Sequence, residues 1–124
     1  MPLTVHGHAI LDVSPDKLDS LCEGYTSLQC DKLRKPYEDK WVRWTGVVND
    51  VDDSPGVSLH VPSPSSYLGY TSVGIIFKES ERNEVVHLRV GDKITIVGRL
   101  VYGMGDILED AELLRNETTD KPIR

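Results

Sequence analysis

Apolar and polar positions alternate most clearly between residues 41 and 61. In Trp41-Val42-Arg43-Trp44-Thr45 β-branched and aromatic residues predominate, the pattern of a strand with one face buried. If Val42 and Trp44 face inward, Arg43 and Thr45 face outward. The alternation slips after Gly46, where Val47 and Val48 are adjacent. A glycine inside a strand followed by a phase change predicts a bulge or bend there. The run Asp52-Asp53-Ser54-Pro55-Gly56 is a turn cluster,. Beyond it Val57, Leu59 and Val61 alternate with Ser58 and His60, giving a second strand in a hairpin with the first. Three further segments read as strands: residues 73–78, 93–101 and 107–114. The fourth strand meets Gly98 as the first meets Gly46.

Ahead of the strands the period changes. Ser14-Pro15-Asp16 is a helix start: a capping serine, a proline suited to the first turn, and an acid at the positive end of the dipole. Leu18, Leu21, Cys22 and Tyr25 follow at helical spacing,. Gly24 predicts a stop or kink, and Thr26-Ser27-Leu28-Gln29 restarts a helix with a capping box,. Two short helices, or one kinked helix, are expected, with Leu28 and Leu33 inward and the apolar face covering the strands. Residues 62–72 form a Pro/Ser loop carrying Tyr67 and Tyr70, and residues 102–106 a glycine-rich connection beginning with Tyr102. The expected organisation is one domain over 1–124: an N-terminal arm 1–13, a helical cap 14–35, a β unit 37–115 and a tail 116–124.

The order of elements resembles a known fold. A helix precedes Tyr37-x-x-Lys40-Trp41-Val42-x-Trp44-Thr45-Gly46-Val47-Val48. Later come Leu88-Arg89-Val90-Gly91-Asp92-Lys93-Ile94-Thr95-Ile96-Val97-Gly98 and a last strand with Leu108-Glu109-Asp110-Ala111-Glu112-Leu113. Over roughly residues 15–115 the chain resembles the OB-fold, and within it the small anticodon-binding-like group of unassigned role. The resemblance implies a mainly β, five-stranded antiparallel Greek-key barrel with an N-terminal helical segment. It also implies single-stranded nucleic acid bound across strands two and three and the adjoining loops.

Such binding needs cations for phosphates and aromatic faces for bases. Strand parity puts Arg43, His60 and Lys78 outward, with Ile76 and Arg99, and places Tyr67, Tyr70 and Tyr102 in bordering loops. These six (Arg43, His60, Lys78, Tyr67, Tyr70 and Tyr102) are the candidate nucleic-acid-binding residues. Trp41, of opposite parity to Trp44, is expected to pack under the helices. The formal net charge of −6 opposes tight non-specific polyanion binding. It fits a protein partner better, docked on the barrel face, the helices or the Pro/Ser loop.

Catalytic and metal-binding patterns are weak. His6 and His8 lie near Asp12, but two imidazoles on an extended arm need a third fixed ligand. Asp50, Asp52 and Asp53 fall on a turn where Asp serves local hydrogen bonding; Glu109, Asp110 and Glu112 share one strand. No nucleophile motif or phosphate-cradling glycine loop is present. The expectation is a non-enzymatic binding module with no cofactor and no metal. Its partner would be single-stranded DNA or RNA, or alternatively a protein. No run approaches the roughly 20 apolar residues of a membrane span, and no leader pattern is apparent, so a soluble cytoplasmic protein is expected. Cys22 and Cys30 would stand roughly 12 Å apart on one continuous helix, beyond the about 7 Å reach of a disulfide. A break at Gly24 would shorten that distance. Reduced, buried thiols are expected.

Overall fold

A computed structural model describes residues 3–64, 66–101, 107–119 and 121–122. The elements are β1 (Thr4–Val5), β2 (His8–Ala9), α1 (Pro15–Ser20), α2 (Ser27–Arg34), β3 (Trp41–Asp52), β4 (Gly56–Pro62), β5 (Tyr70–Phe77), α3 (Arg82–Val85), β6 (Lys93–Leu100), β7 (Ile107–Asn116) and β8 (Lys121–Pro122). The large sheet runs β5-β4-β3-β6-β7-β8, and β5 also pairs with β7. The hydrogen-bonded order therefore returns on itself. That last pairing is parallel, which corrects the expectation of a purely antiparallel arrangement. The reason is topological: the segment from Glu79 to Asp92, with α3, carries the chain from the end of β5 across to β6, and β7 then arrives running the same way as β5. Among the described residues no helix is long and apolar enough to cross a membrane.

The interior follows strand parity. Val42, Trp44 and Val48 of β3, Val57, Leu59 and Val61 of β4, and Val73, Ile75 and Phe77 of β5 are buried together. Arg43 is exposed and His60 half-buried on the outer face. The expected bulge moves, however. Burial alternates unbroken through Gly46 to Val48, and the register with β4 shifts only between Val48 and Asp50. Val47 is an apolar residue on the outer face, 41% exposed, and it mimics a phase change. Gly46 serves close approach: a Cβ there would lie 2.6 Å from the His60 carbonyl oxygen and 2.9 Å from Leu59 Cγ.

The helical segment is two helices. Ser14 caps α1 by accepting from the Lys17 amide at 3.2 Å. Thr26 and Gln29 form the reciprocal box that starts α2. Leu18 is buried in the core, but α2 buries no residue and Leu28 is 68% exposed. The expected apolar cover by α2 is thus absent, because its short sequence points one leucine to solvent and half-buries the other. Cys22 and Cys30 form a disulfide with Cα atoms 5.0 Å apart. This corrects the expectation of reduced thiols: Gly24, at φ +80°, reverses the chain, so the two cysteines do not share one helix.

The N-terminal arm is ordered as a hairpin. β1 pairs with β2, Ile10 bridges to Trp41 in parallel, and the Leu11 amide donates to the Trp41 carbonyl at 2.8 Å. His8 stacks on Trp41 with centroids 3.5 Å apart. Trp41 therefore packs beneath this hairpin and not, as expected, under the helices.

Candidate nucleic-acid interface

Register places four outward side chains in one row across four strands. Lys93 of β6 pairs with Val47 of β3, Val47 with His60 of β4, and His60 with Ser72 of β5. Neighbouring strands lie about 4.8 Å apart, so Lys93 and His60 are separated by about 10 Å across the sheet. The ring of Tyr70 stacks on His60, centroids 3.9 Å apart and planes inclined by 16°. The two half-buried rings lie face to face and form one aromatic platform at the end of β4, where Pro62 pairs with Tyr70.

The adjoining loop is folded. The Ser63 amide donates to the Gly69 carbonyl at 3.0 Å and the Ser66 amide to the Ser63 carbonyl at 3.1 Å. Gly69 takes φ +80°, a conformation suited to glycine. The Ser63 hydroxyl donates to Asp16 of α1 at 2.5 Å, tying the loop to the helix. Tyr67 stands fully exposed at its tip.

The six residues expected from sequence are only partly brought together. His60 and Tyr70 form the platform, and Tyr67 is on the loop beside it. Tyr102 lies outside the described residues. Arg43 is exposed two outward positions along β3 from Val47. It lines, with Trp44, Leu11, Asp12 and Ser14, an open cavity of about 550 Å³. Lys78 is elsewhere, where β5 meets β7: its amide donates to the Ala111 carbonyl, and its ammonium donates to Glu112 at 3.2 Å. Lys93 was missed in the sequence. A lysine in alternation with Ile94 and Ile96 reads only as outward, and its place opposite Val47 depends on register.

Glu112 gathers more than Lys78. His6 Nδ1 lies 3.0 Å from Oε1 and His8 Nε2 3.5 Å from Oε2. Burial pushes the Glu112 carboxyl up, but hydrogen bonds from Lys78 and His6 outweigh it and hold the group below its ordinary value. Another outward cation, Arg99, is spanned by Asp110, Asp39 and Glu109; the Asp110 hydrogen bond in particular raises its pKa further. Asp52 accepts from the Ser54 hydroxyl and amide and from the Gly56 amide. The Ser54 contacts hold its carboxyl below the usual value. Among the described residues no group of three or more His, Cys, Asp or Glu side chains is arranged to hold a metal ion. Along β3 the acidic turn of Asp50, Asp52 and Asp53 lies on one side of Val47 and Arg43 on the other, with Lys93 level with Val47 itself; Thr95, between Lys93 and the Arg43 end, donates to Glu117 at 3.2 Å.

No protein-family model matches the chain, and no curated protein matches it significantly. Solved structures do resemble it. A Klebsiella pneumoniae lipoprotein, provisionally named as nucleic acid-binding, superposes with a TM-score of 0.52 at 19% identity, over 72% of this chain and 82% of that one. The mitochondrial single-stranded DNA-binding protein Rim1 of S. cerevisiae gives 0.44 at 15% identity, over 64% and 98%. A chain of the S. pombe Stn1-Ten1 complex gives 0.40 at 16%, over 64% and 61%. The first of these likenesses establishes a shared fold.

Proposed function

We propose that this chain is a non-catalytic OB-type module that binds single-stranded nucleic acid weakly across the outer face of β6, β3, β4 and β5. The observation that carries the reading is the His60–Tyr70 stack set in one row with Lys93. Bases stack on Tyr70, and on Tyr67 at the loop tip, while Lys93 and Arg43 meet phosphates. Among the described residues neither cation has an ion pair, whereas Lys78 and Arg99 are engaged by carboxylates. The strand leaves toward Arg43, away from the acidic turn. The name of the Klebsiella protein supports the same reading.

Two permanent cations limit the electrostatics. Each phosphate contact on a single strand contributes about −0.7 to the slope of log affinity against log salt, so the slope is about −1.4. Stacking contributes about 1–3 kcal/mol per base, which places affinity near the micromolar range. Fluorescence anisotropy with labelled oligo-dT and oligo-U at several salt concentrations tests this. Tyr70→Ala should weaken binding at least about fivefold, and Arg43→Glu with Lys93→Glu should abolish it. Lys78→Ala, with its cation already on Glu112, should leave affinity unchanged. Equal binding by wild type and the Arg43/Lys93 double variant would exclude the proposed face.

A protein partner is the second reading, favoured by one feature of the same sheet. Ser58, Gly74, Ile76 and Ile107 border a shallow groove of about 330 Å³ that Asp52 also lines. Val47, Ile76 and Ile107 are each about 40% exposed. An extended segment with apolar anchors and a basic flank fits that chemistry. Loss of oligonucleotide binding in wild type, with retention of such a peptide, would select this reading.

A further inference from the structure

We infer that this chain is built to work oxidised, in a compartment where disulfides persist, and that the Cys22–Cys30 bond is the tie that holds α2 to the body of the protein. The chain has two cysteines, and they are paired at a Cα separation of 5.0 Å, well within disulfide geometry. The bond ties Cys30 of α2 to Cys22 in the turn that follows α1, and the two helices differ in how they are held. α1 buries Pro15 and Leu18 and gives Asp16 to the Ser63 hydroxyl. α2 buries nothing. Its described side-chain contacts are internal: the Thr26–Gln29 box and the Asp31–Arg34 pair. An isolated helix shorter than about 12–15 residues is marginal in water, and α2 has eight. A covalent tie supplies what packing does not.

The bond forms when the two thiols give up two protons and two electrons to a disulfide oxidant such as glutathione disulfide, which leaves as two thiols. In a reducing cytosol the exchange runs the other way. Both cysteines are half-buried, so the bond is open to exchange. The setting this implies is an oxidising one and not the cytoplasm.

The test uses the full chain equilibrated in glutathione buffers at a cytosolic and at a secretory poise. Free thiols are counted by alkylation and mass measurement, and amide exchange is followed over residues 27–34. At the secretory poise no free thiol should remain. On reduction, α2 protection should fall by about 10- to 100-fold, the scale of closing so short a loop, while amides of β3, β4 and β6 keep theirs. Cys22→Ser with Cys30→Ser should reproduce the reduced pattern. Free thiols at the secretory poise would overturn the inference, as would equal α2 protection in both forms or loss of strand protection on reduction.

Discussion

Replacing Trp44 tests how the first long strand is set. Its side chain lies in the core at 6% exposure, and its indole N–H donates to the Val13 carbonyl at 2.8 Å. One residue thus fills the interior and ties the segment before α1 to β3. Truncating a buried Trp to Ala costs about 3–5 kcal/mol. The unmatched Val13 carbonyl adds about 1 kcal/mol. Trp44→Phe keeps most of the packing and loses the hydrogen bond, so it should cost about 1–2 kcal/mol. Arg43→Ala, one residue away on the exposed side, should stay within about 0.5 kcal/mol of wild type. Urea denaturation followed by far-ultraviolet circular dichroism gives the comparison, with midpoints read at a shared slope. Equal midpoints for Trp44→Ala and Arg43→Ala would refute the strand phase. A Trp44→Phe midpoint equal to wild type would refute the role of the indole bond to Val13.

Three further outcomes follow from the same packing. Gly46→Ala forces a methyl against the His60 carbonyl oxygen and Leu59 and should cost about 2–4 kcal/mol; a wild-type melting temperature would show that β4 does not close there. Ser14→Ala should cost about 1 kcal/mol through loss of the α1 cap, checked by the same urea midpoints. The Glu112 carboxyl is held below its ordinary value, so its contribution is present above the unfolded carboxylate pKa and is lost as pH falls through the lower folded value. Thermal melts from neutral to acid pH should therefore lose stability in the acid range, and Glu112→Gln should flatten that loss; an unchanged acid profile in the variant would contradict the stabilising role of the Glu112 contacts with Lys78 and His6.

The inward and outward sides of β3, β4 and β5 were legible because Val42 and Trp44, Leu59 and Val61, and Ile75 and Phe77 repeat at the strand period. What escaped depends on relations between distant segments. Lys93 and His60 meet in one row only through Val47, and no local pattern fixes that register. Lys78 was assigned to the face by parity, but the parallel pairing of β5 with β7 brings Glu112 to it. Val47 suggested a bulge at Gly46 because an exposed valine and a buried one look alike in sequence. The cysteines stand too far apart only on one continuous helix; the break that the sequence signals at Gly24 is a full reversal, and its extent is not legible in residue spacing. His6 and His8 looked like a loose arm, since their carboxylate partner lies more than a hundred residues downstream.

The central claim is that single strands lie across the row from Lys93 to Ser72, against the His60–Tyr70 platform. Titrating labelled protein with an oligo-dT while recording its amide NMR spectrum tests it most directly. The expected result is progressive, salt-sensitive shifting of the Val47, His60, Tyr70, Ser72 and Lys93 amides, with the amides around Glu112 and Arg99 unmoved. An unchanged spectrum at low salt, or shifts confined to α2 or to the Arg99 side, would contradict the account.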